Sequence, residues 1–446
     1  MEMHRRAFVG DPNPDGAEVS TQHPSPIGYY AVARQPGNSG PAAGRAEEEL
    51  NRTSDGKMRS PQAEEQMGPS PFQIIIPDSD ITDLKRRIRE TRWPTTVSGA
   101  GWSMGLDLGY LRALADFWLE SFDWRAVEER LNTYRHFIAD TSVGPIHFAR
   151  IQSRGRRLVP IVLTHGWPST FAELLHLGEL LAGPADQTTD FGFDVLIPSL
   201  PGYGFSPPPQ SLGNSVWVIA DAWVELMKTL GCARFIAHGG DIGAGVSTAI
   251  ALRHPEALAG LHLNYIPGSY EPYVEDLQQL SREESEFLAR RREWTDAEGG
   301  YAHVQGTKPD TLGPALNDSP IGLAAWIVDK FRSWSDCVGD IESRFTKTEL
   351  LTTISIYWFT QSMPSAIRLY WEGRRAPMRF RKGQKITVPT AIAHFPRELP
   401  IPPRHYVERG YNVTRWSEFP RGGHFAAAEE PLLLATDIHS FVAELG

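Results

Sequence analysis

An apolar run, Phe235-Ile236-Ala237-His238, leads into Gly239-Gly240-Asp241-Ile242-Gly243-Ala244-Gly245, so that an acidic residue stands between glycines at the end of a strand-like segment. Small residues on both sides permit a tight strand-to-helix turn that pushes the intervening side chain outward. Such a G-x-S-x-G turn usually carries serine; here Gly239-Gly240-Asp241-Ile242-Gly243 keeps the frame and replaces the hydroxyl by a carboxylate. A serine must lose a proton before it attacks and prefers acyl carbons, whereas an aspartate is already ionised near neutrality and can displace at a saturated carbon. Strained epoxides and alkyl halides are electrophiles of that kind. Glycine spacing alone does not separate this reading from a plain turn or a dinucleotide loop, although the adjacent Gly239 and Gly240 break the G-x-G-x-x-G spacing that a dinucleotide needs.

Three further groups could complete a reaction around Asp241. His165-Gly166-Trp167-Pro168 follows the apolar run Val159 to Thr164. A backbone N–H there can join the one after the nucleophile in an oxyanion hole, which assigns the donors to Trp167 and Ile242. His165, Gly166 and Pro168 are expected at the pocket, with His165 fixing the loop through hydrogen bonds rather than taking part in chemistry. Pro201 to Ser206 is expected to shape the pocket as a loop. Near the C-terminus, Gly422-Gly423-His424-Phe425 precedes a helix carrying Leu432, Leu433, Leu434 and Ile438. A histidine there would ordinarily be a surface residue. The chain order Asp241, an acid, then His424 matches nucleophile, acid, histidine as α/β-hydrolases arrange them. Glu398, just after the strand-like Ile386 to His394, supplies the acid: it would orient the imidazole and stabilise its cation while the other nitrogen activates water. Glu408 and Glu418 compete less well because neither follows a strand so directly.

The elements that must hold these groups read as follows. Residues 1–69 are rich in Gly, Pro, Ser, Glu and Arg and predict a disordered hydrophilic tail. Residues 70–133 form an accessory region: an extended run at Pro71 to Pro77, a helix capped at Ser79-Asp80 with Ile81, Leu84 and Ile88 on one face and stopped by Trp93-Pro94, then a helix over Leu108 to Phe122. From 134 to 267 a hairpin, Tyr134 to Ile138 and Ile146 to Arg150 across Gly144-Pro145, gives way to βα alternation. Its parts are strands Val159–Thr164, Phe193–Ile197 and Arg234–Ala237, a helix capped by Ser169, another over Trp217 to Leu230, and a helix Val246 to Arg253. Residues 268–374, helical and rich in Trp and Tyr, read as an inserted lid, and 375–446 resume the sheet. Apolar runs alternating with helical periods imply an α/β fold with a mostly parallel sheet flanked by helices, whose crevice lies at the carboxyl ends of the strands.

Composition narrows the function classes. The 446 residues, 41% hydrophobic with 13 Trp and 20 Phe, suffice for a large core and accessory elements. The 44 basic against 54 acidic residues give −10 without a sustained Lys/Arg run, which disfavours nucleic acid as a partner. Cys232 and Cys337 form no CxxC and are expected as buried free thiols. The sequence shows no apolar run of membrane-helix length and no signal-peptide stretch, which predicts a soluble cytoplasmic protein without a membrane anchor.

From about Pro71 onward the chain resembles the microsomal-type epoxide hydrolases. The resemblance is carried by Pro71 to Pro94, His165-Gly166-Trp167-Pro168, Gly239-Gly240-Asp241, the run Tyr301 to Asp310, Phe395-Pro396-Arg397-Glu398 and Arg421-Gly422-Gly423-His424-Phe425. It implies an α/β-hydrolase fold with a helical lid and an N-terminal accessory segment, no metal or organic cofactor, and a small apolar epoxide and water as reactants; a homodimer is compatible with it. It also implies two lid tyrosines that donate to the epoxide oxygen, at Tyr301 and at Tyr370 within Arg368-Leu369-Tyr370-Trp371. A phenol stays neutral near neutral pH and can protonate a departing alkoxide; without the resemblance each ring reads first as an amphipathic packing residue, and Tyr357 is the nearest decoy. The expected reaction opens the epoxide through an ester on Asp241 that His424 and Glu398 hydrolyse to a vicinal diol. Many relatives carry Trp after the nucleophile where this chain has Ile242, which predicts an altered pocket wall. A haloalkane dehalogenase would share the Asp nucleophile but needs indole donors for halide; an esterase would need Ser, and a catalytically silent binding protein on this fold is the remaining alternative.

Overall fold

The computed structural model describes residues 68–446, apart from 154–156, 184–190 and the side chain of Leu277; the tail expected over 1–69 lies almost wholly outside the described residues. One sheet contains β1 (Ser70–Phe72), β2 (Arg135–Thr141), β3 (Gly144–Gln152), β4 (Arg157–Thr164), β5 (Phe191–Pro198), β6 (Phe235–Gly239), β7 (Leu258–Leu263), β8 (Pro389–His394) and β9 (Asn412–Glu418). The spatial order is β1-β2-β3-β5-β4-β6-β7-β8-β9. Pairings from β1 to β5 are antiparallel, and every pairing from β5 through β4 to β9 is parallel. All residues of β5 and β6 are buried, as expected of parallel strands covered on both faces. The one carboxylate inside β5, Asp194, is met by Arg150 of β3 at 2.6 and 2.9 Å.

The helices fall into groups. Before the hairpin come α1 (Asp78–Arg89), α2 (Leu108–Glu120) and α3 (Trp124–Leu131). The sheet is covered by α4 (Leu175–Ala182), α5 (Val216–Thr229) and α6 (Asp241–Arg253). Between β7 and β8 lie α7 (Arg282–Glu298), α8 (Gly300–Thr307), α9 (Pro309–Asp318), α10 (Pro320–Trp334), α11 (Lys347–Phe359) and α12 (Met363–Arg375). The chain closes with α13 (Arg404–Glu408), α14 (Ala426–Glu429) and α15 (Pro431–Glu444). This is the α/β arrangement that the sequence implies, with an inserted helical layer. The N-terminal elements are tied to that layer: Trp124 packs against Phe359 in a tilted pair at 4.8 Å, and Arg87 reaches the Asp318 carboxylate at 2.7 Å. Asn132 clamps the extended run by bonding both the N–H and the C=O of Ile74, at 2.9 and 2.8 Å.

Several local expectations are corrected. Helix α1 begins at Asp78 behind Pro77 with no side-chain cap, and ends at Arg89, short of Trp93-Pro94; proline at the entry presets the backbone, so Ser79 and Asp80 fall inside the first turn. The hairpin turns at Ser142-Val143, with Pro145 already paired to Asp140. Thr170, not Ser169, caps the turn Phe171–Leu174 that leads into α4. Leu432 is exposed, while Leu434 and Ile438 face the core. Helix α3 and strands β7 and β9 were not anticipated. Cys232 and Cys337 are free and buried, as expected. Among the described residues no helix is long and apolar enough to cross a membrane.

Candidate active site

Asp241 occupies the junction of β6 and α6 with a φ of +46°, a left-handed conformation that non-glycine residues adopt rarely and that marks strained functional turns. Two glycines let neighbouring backbone close on it. A Cβ on Gly243 would come within 1.9 Å of the Thr164 carbonyl, and one on Gly166 within 2.3 Å of the Asp241 carboxylate. With that approach, the Trp167 N–H donates to Asp241 Oδ1 at 2.8 Å.

His424 lies on the other side of the carboxylate. Its Nε2 is 3.3 Å from Asp241 Oδ2 and its Nδ1 is 2.5 Å from Glu398 Oε1. Glu398 Oε1 also accepts from the Leu399 N–H at 2.7 Å. The side chains of His424 and Glu398 are 2% and 1% exposed, so both are held out of water. Burial alone would push the imidazolium toward losing its proton, but Glu398 and Asp241 on its two nitrogens outweigh it and hold the His424 pKa well above its ordinary value. Trp334 fixes the loop: its carbonyl accepts from the His424 N–H at 3.0 Å and its indole stands edge-on to the imidazole at 5.2 Å. Tyr265 closes on the same ring at 5.5 Å.

Facing Asp241 is a cavity of about 560 Å³, lined among others by Ile242, Tyr265, Trp294, Tyr301, Leu369 and Tyr370. Tyr301 of α8 and Tyr370 of α12 are hydrogen-bonded to each other. Both are organised by the Trp167 indole, which stacks on Tyr301 at 5.3 Å and meets Tyr370 edge-on at 5.7 Å. Burial, and then the Tyr370 ring's neighbour Tyr301 and the Asp241 carboxylate, hold the Tyr370 phenol well above its ordinary pKa. Tyr301 is raised by burial and Asp241. Both phenols therefore stay protonated and can donate.

The structure thus brings together Asp241, His424, Glu398, Tyr301, Tyr370, Trp167 and Ile242. It separates others. His165 is buried, bonds the Gly166 carbonyl through Nδ1 at 2.9 Å and accepts from the Leu200 N–H through Nε2 at 3.1 Å. Burial lowers its pKa to about 4, so it is a neutral loop fastener. His165 and Gly166 line a second, small cavity rather than the large one, and Pro168 lines neither. The Pro201 to Ser206 loop does not shape the large cavity either: Tyr203 Oη donates to the Ala366 carbonyl at 3.0 Å and Gly202 accepts from Ser365 at 2.5 Å, which pins α12 from beneath. Tyr357 is spent on the Ser169 carbonyl at 2.9 Å. Glu408 pairs with Arg404 at 2.7 Å. Glu418 is the last residue of β9 and exposed, so closeness to a strand end does not distinguish it from Glu398; contact with His424 does.

Sequence reasoning passed over Tyr265, Trp334 and the Trp167 indole. It also passed over Glu173, whose carboxyl lies against the small cavity and takes the Ser169 hydroxyl. Burial, opposed by Ser169 and His424, pushes its pKa up to about 7.

The family profile for the epoxide hydrolase N terminus matches residues 69–174, and that for the alpha/beta hydrolase fold matches residues 159–297. A Stigmatella aurantiaca protein is 41% identical over 381 residues, spanning 85% of this chain and 86% of its own. Epoxide hydrolase 1 of Sus scrofa is 36% identical over 417 residues, spanning 86% of this chain and 91% of its own. The structure of Aspergillus niger epoxide hydrolase superposes with a TM-score of 0.74 at 32% identity, covering 85% of this chain and 97% of that one.

Proposed function

Since this chain belongs to the epoxide hydrolase family, we propose that it opens an apolar epoxide through a covalent ester on Asp241 and releases a vicinal diol. The observation that carries the reading is one carboxylate, Asp241, placed between a protonated pair of phenols across a largely apolar cavity and an imidazole backed by a second carboxylate.

In the first half, Asp241 Oδ2 attacks one oxirane carbon and the C–O bond breaks. Tyr301 and Tyr370 donate to the ring oxygen, one of them passing its proton to the forming alkoxide. The phenolate so formed takes a proton from the His424 imidazolium, by way of water, and leaves His424 neutral. In the second half, water attacks Asp241 Cγ and His424 Nε2 accepts its proton. The carbonyl electrons move to Oδ1, where the Trp167 N–H already points and where the Ile242 N–H, in the unsatisfied first turn of α6, can join it. Collapse expels the diol oxygen, which takes the proton of the new carboxyl, and restores the Asp241 carboxylate beside a protonated His424.

The test is intact mass after mixing His424→Gln protein with aryl and alkyl epoxides and with haloalkanes, with Asp241→Asn as the control. A gain equal to the whole epoxide, mapped to the Asp241 peptide and absent from the control, is the expected outcome. A gain equal to an alkyl group without halogen would move the assignment to dehalogenation. No adduct together with an inactive wild type would leave a silent binding protein.

A further inference from the structure

The two cavities that meet at Asp241 share no other lining residue. The larger carries the two phenols. The smaller, about 20 Å³, gathers Asp241, His424, Glu173, Ser169 and Asn264 in its wall, and His424 lines it without lining the larger. A void of roughly 10–15 Å³ holds one water when two to four polar partners surround it, so this one has the size and the lining for a single molecule.

We propose that the small cavity seats the hydrolytic water and that Glu173 orients it, so that the two half-reactions are served by separate chambers on opposite sides of the Asp241 carboxyl. The inference rests on the aspartyl-ester reading above. Glu173 sits in the turn Phe171–Leu174, and Ser169 Oγ holds its Oε2. That leaves Oε1 for a proton of the water, while the water's other proton points to His424 Nε2 and an oxygen lone pair to Asp241 Cγ. On attack, the water oxygen bonds to Cγ, the proton facing His424 transfers to Nε2, and the proton facing Glu173 stays on the new hydroxyl until collapse delivers it to the departing diol oxygen. Glu173 is thus a positioning residue: it gains and loses no proton over the cycle.

The experiment is rapid mixing of the full chain with styrene oxide, followed by ester formation and decay by intact mass, for wild type, Glu173→Ala, Glu173→Gln, Ser169→Ala and His424→Gln. Glu173→Ala is expected to form ester within about twofold of the wild-type rate and to hydrolyse it roughly 10- to 100-fold more slowly. Then kcat and KM fall together and kcat/KM is kept. Glu173→Gln, which retains an acceptor, recovers most of the turnover. Ser169→Ala, which frees the carboxyl without emptying the site, shows a smaller shift in the same direction and guards against misfolding of the first variant. Glu173→Ala that turns over at the wild-type rate, or that loses both steps equally while Ser169→Ala changes neither, would overturn the proposal. If His424→Gln accumulates ester and Glu173→Ala does not, this inference alone fails; if His424→Gln accumulates none, the aspartyl-ester reading fails with it.

Discussion

Glu398→Gln isolates the charge behind the base while leaving its shape. The carboxylate touches His424 Nδ1 at 2.5 Å and the Leu399 N–H at 2.7 Å with its side chain 1% exposed, so water does not replace what is removed. A hydrogen bond to a charged group contributes about 1.5–3 kcal/mol and a neutral one about 1. The imidazolium that forms as water attacks should therefore lose roughly 1–2 kcal/mol, which is about a 5- to 30-fold slower hydrolytic step. Ester formation does not need that cation to form, and should hold within about twofold. Rapid-quench intact mass should show ester rising to the dominant species, with kcat and KM falling together. The pH profile carries a second signature. Removing a carboxylate that favours the imidazolium lowers the His424 pKa, so the acid limb of the hydrolytic step moves to lower pH. A kcat/KM that falls in step with kcat, with no ester accumulating, would refute the assignment of Glu398 to the second half-reaction.

Replacing Tyr301 or Tyr370 by Phe should slow ester formation about 10- to 100-fold each, and both together far more, read by single-turnover mass kinetics. Because both phenols are held above their ordinary pKa, wild-type ester formation should show no alkaline loss up to about pH 10. Ile242→Trp should narrow the large cavity beside Asp241 and lower the kcat/KM ratio of aryl to small alkyl epoxides on the order of tenfold. Glu173 also predicts a stability effect. Its folded pKa of about 7 lies above the ordinary 4.5, so the native state keeps a proton that the unfolded chain releases. Stability should be lost as pH rises between those values, by up to about 3 kcal/mol. Glu173→Gln should remove that loss, so urea melts should show the variant gaining on wild type from pH 4.5 to 7 and keeping a constant margin above it.

What the sequence made legible is what is local in the chain. Gly239 to Gly243 announces the Asp241 turn because the glycines that let the backbone close are themselves part of the motif. Chain order brings Asp241, an acid and His424 together without any knowledge of packing. Choosing among Glu398, Glu408 and Glu418 is another matter: two of them stand at or just beyond a strand end, and only the fold turns one toward His424. Glu173 reads in Ser169-Thr170-Phe171-Ala172-Glu173 as the polar face of a helical turn. It is buried, and the groups whose charges act on it, Asp241, His424 and Glu429, lie 68 or more positions away. The Trp167 indole is hidden for the same reason, since its partners Tyr301 and Tyr370 come from two different lid helices.

The charge arrangement suggests why the two halves of the proposed cycle follow one another in order. At rest, His424 lies between two carboxylates that hold its proton against the pull of burial. A protonated imidazole cannot take a proton from water, so hydrolysis is blocked while no ester exists. Alkylation turns Asp241 into a neutral ester and removes one of the two charges that hold the proton, just as a phenolate appears that can receive it. The base is therefore released by the product of the first step, and Glu398 alone remains to stabilise the cation when water attacks. This order gives the second carboxylate behind the histidine its part: with Asp241 neutralised, Glu398 is the charge left to favour the buried imidazolium, and without it the ester would be hydrolysed more slowly.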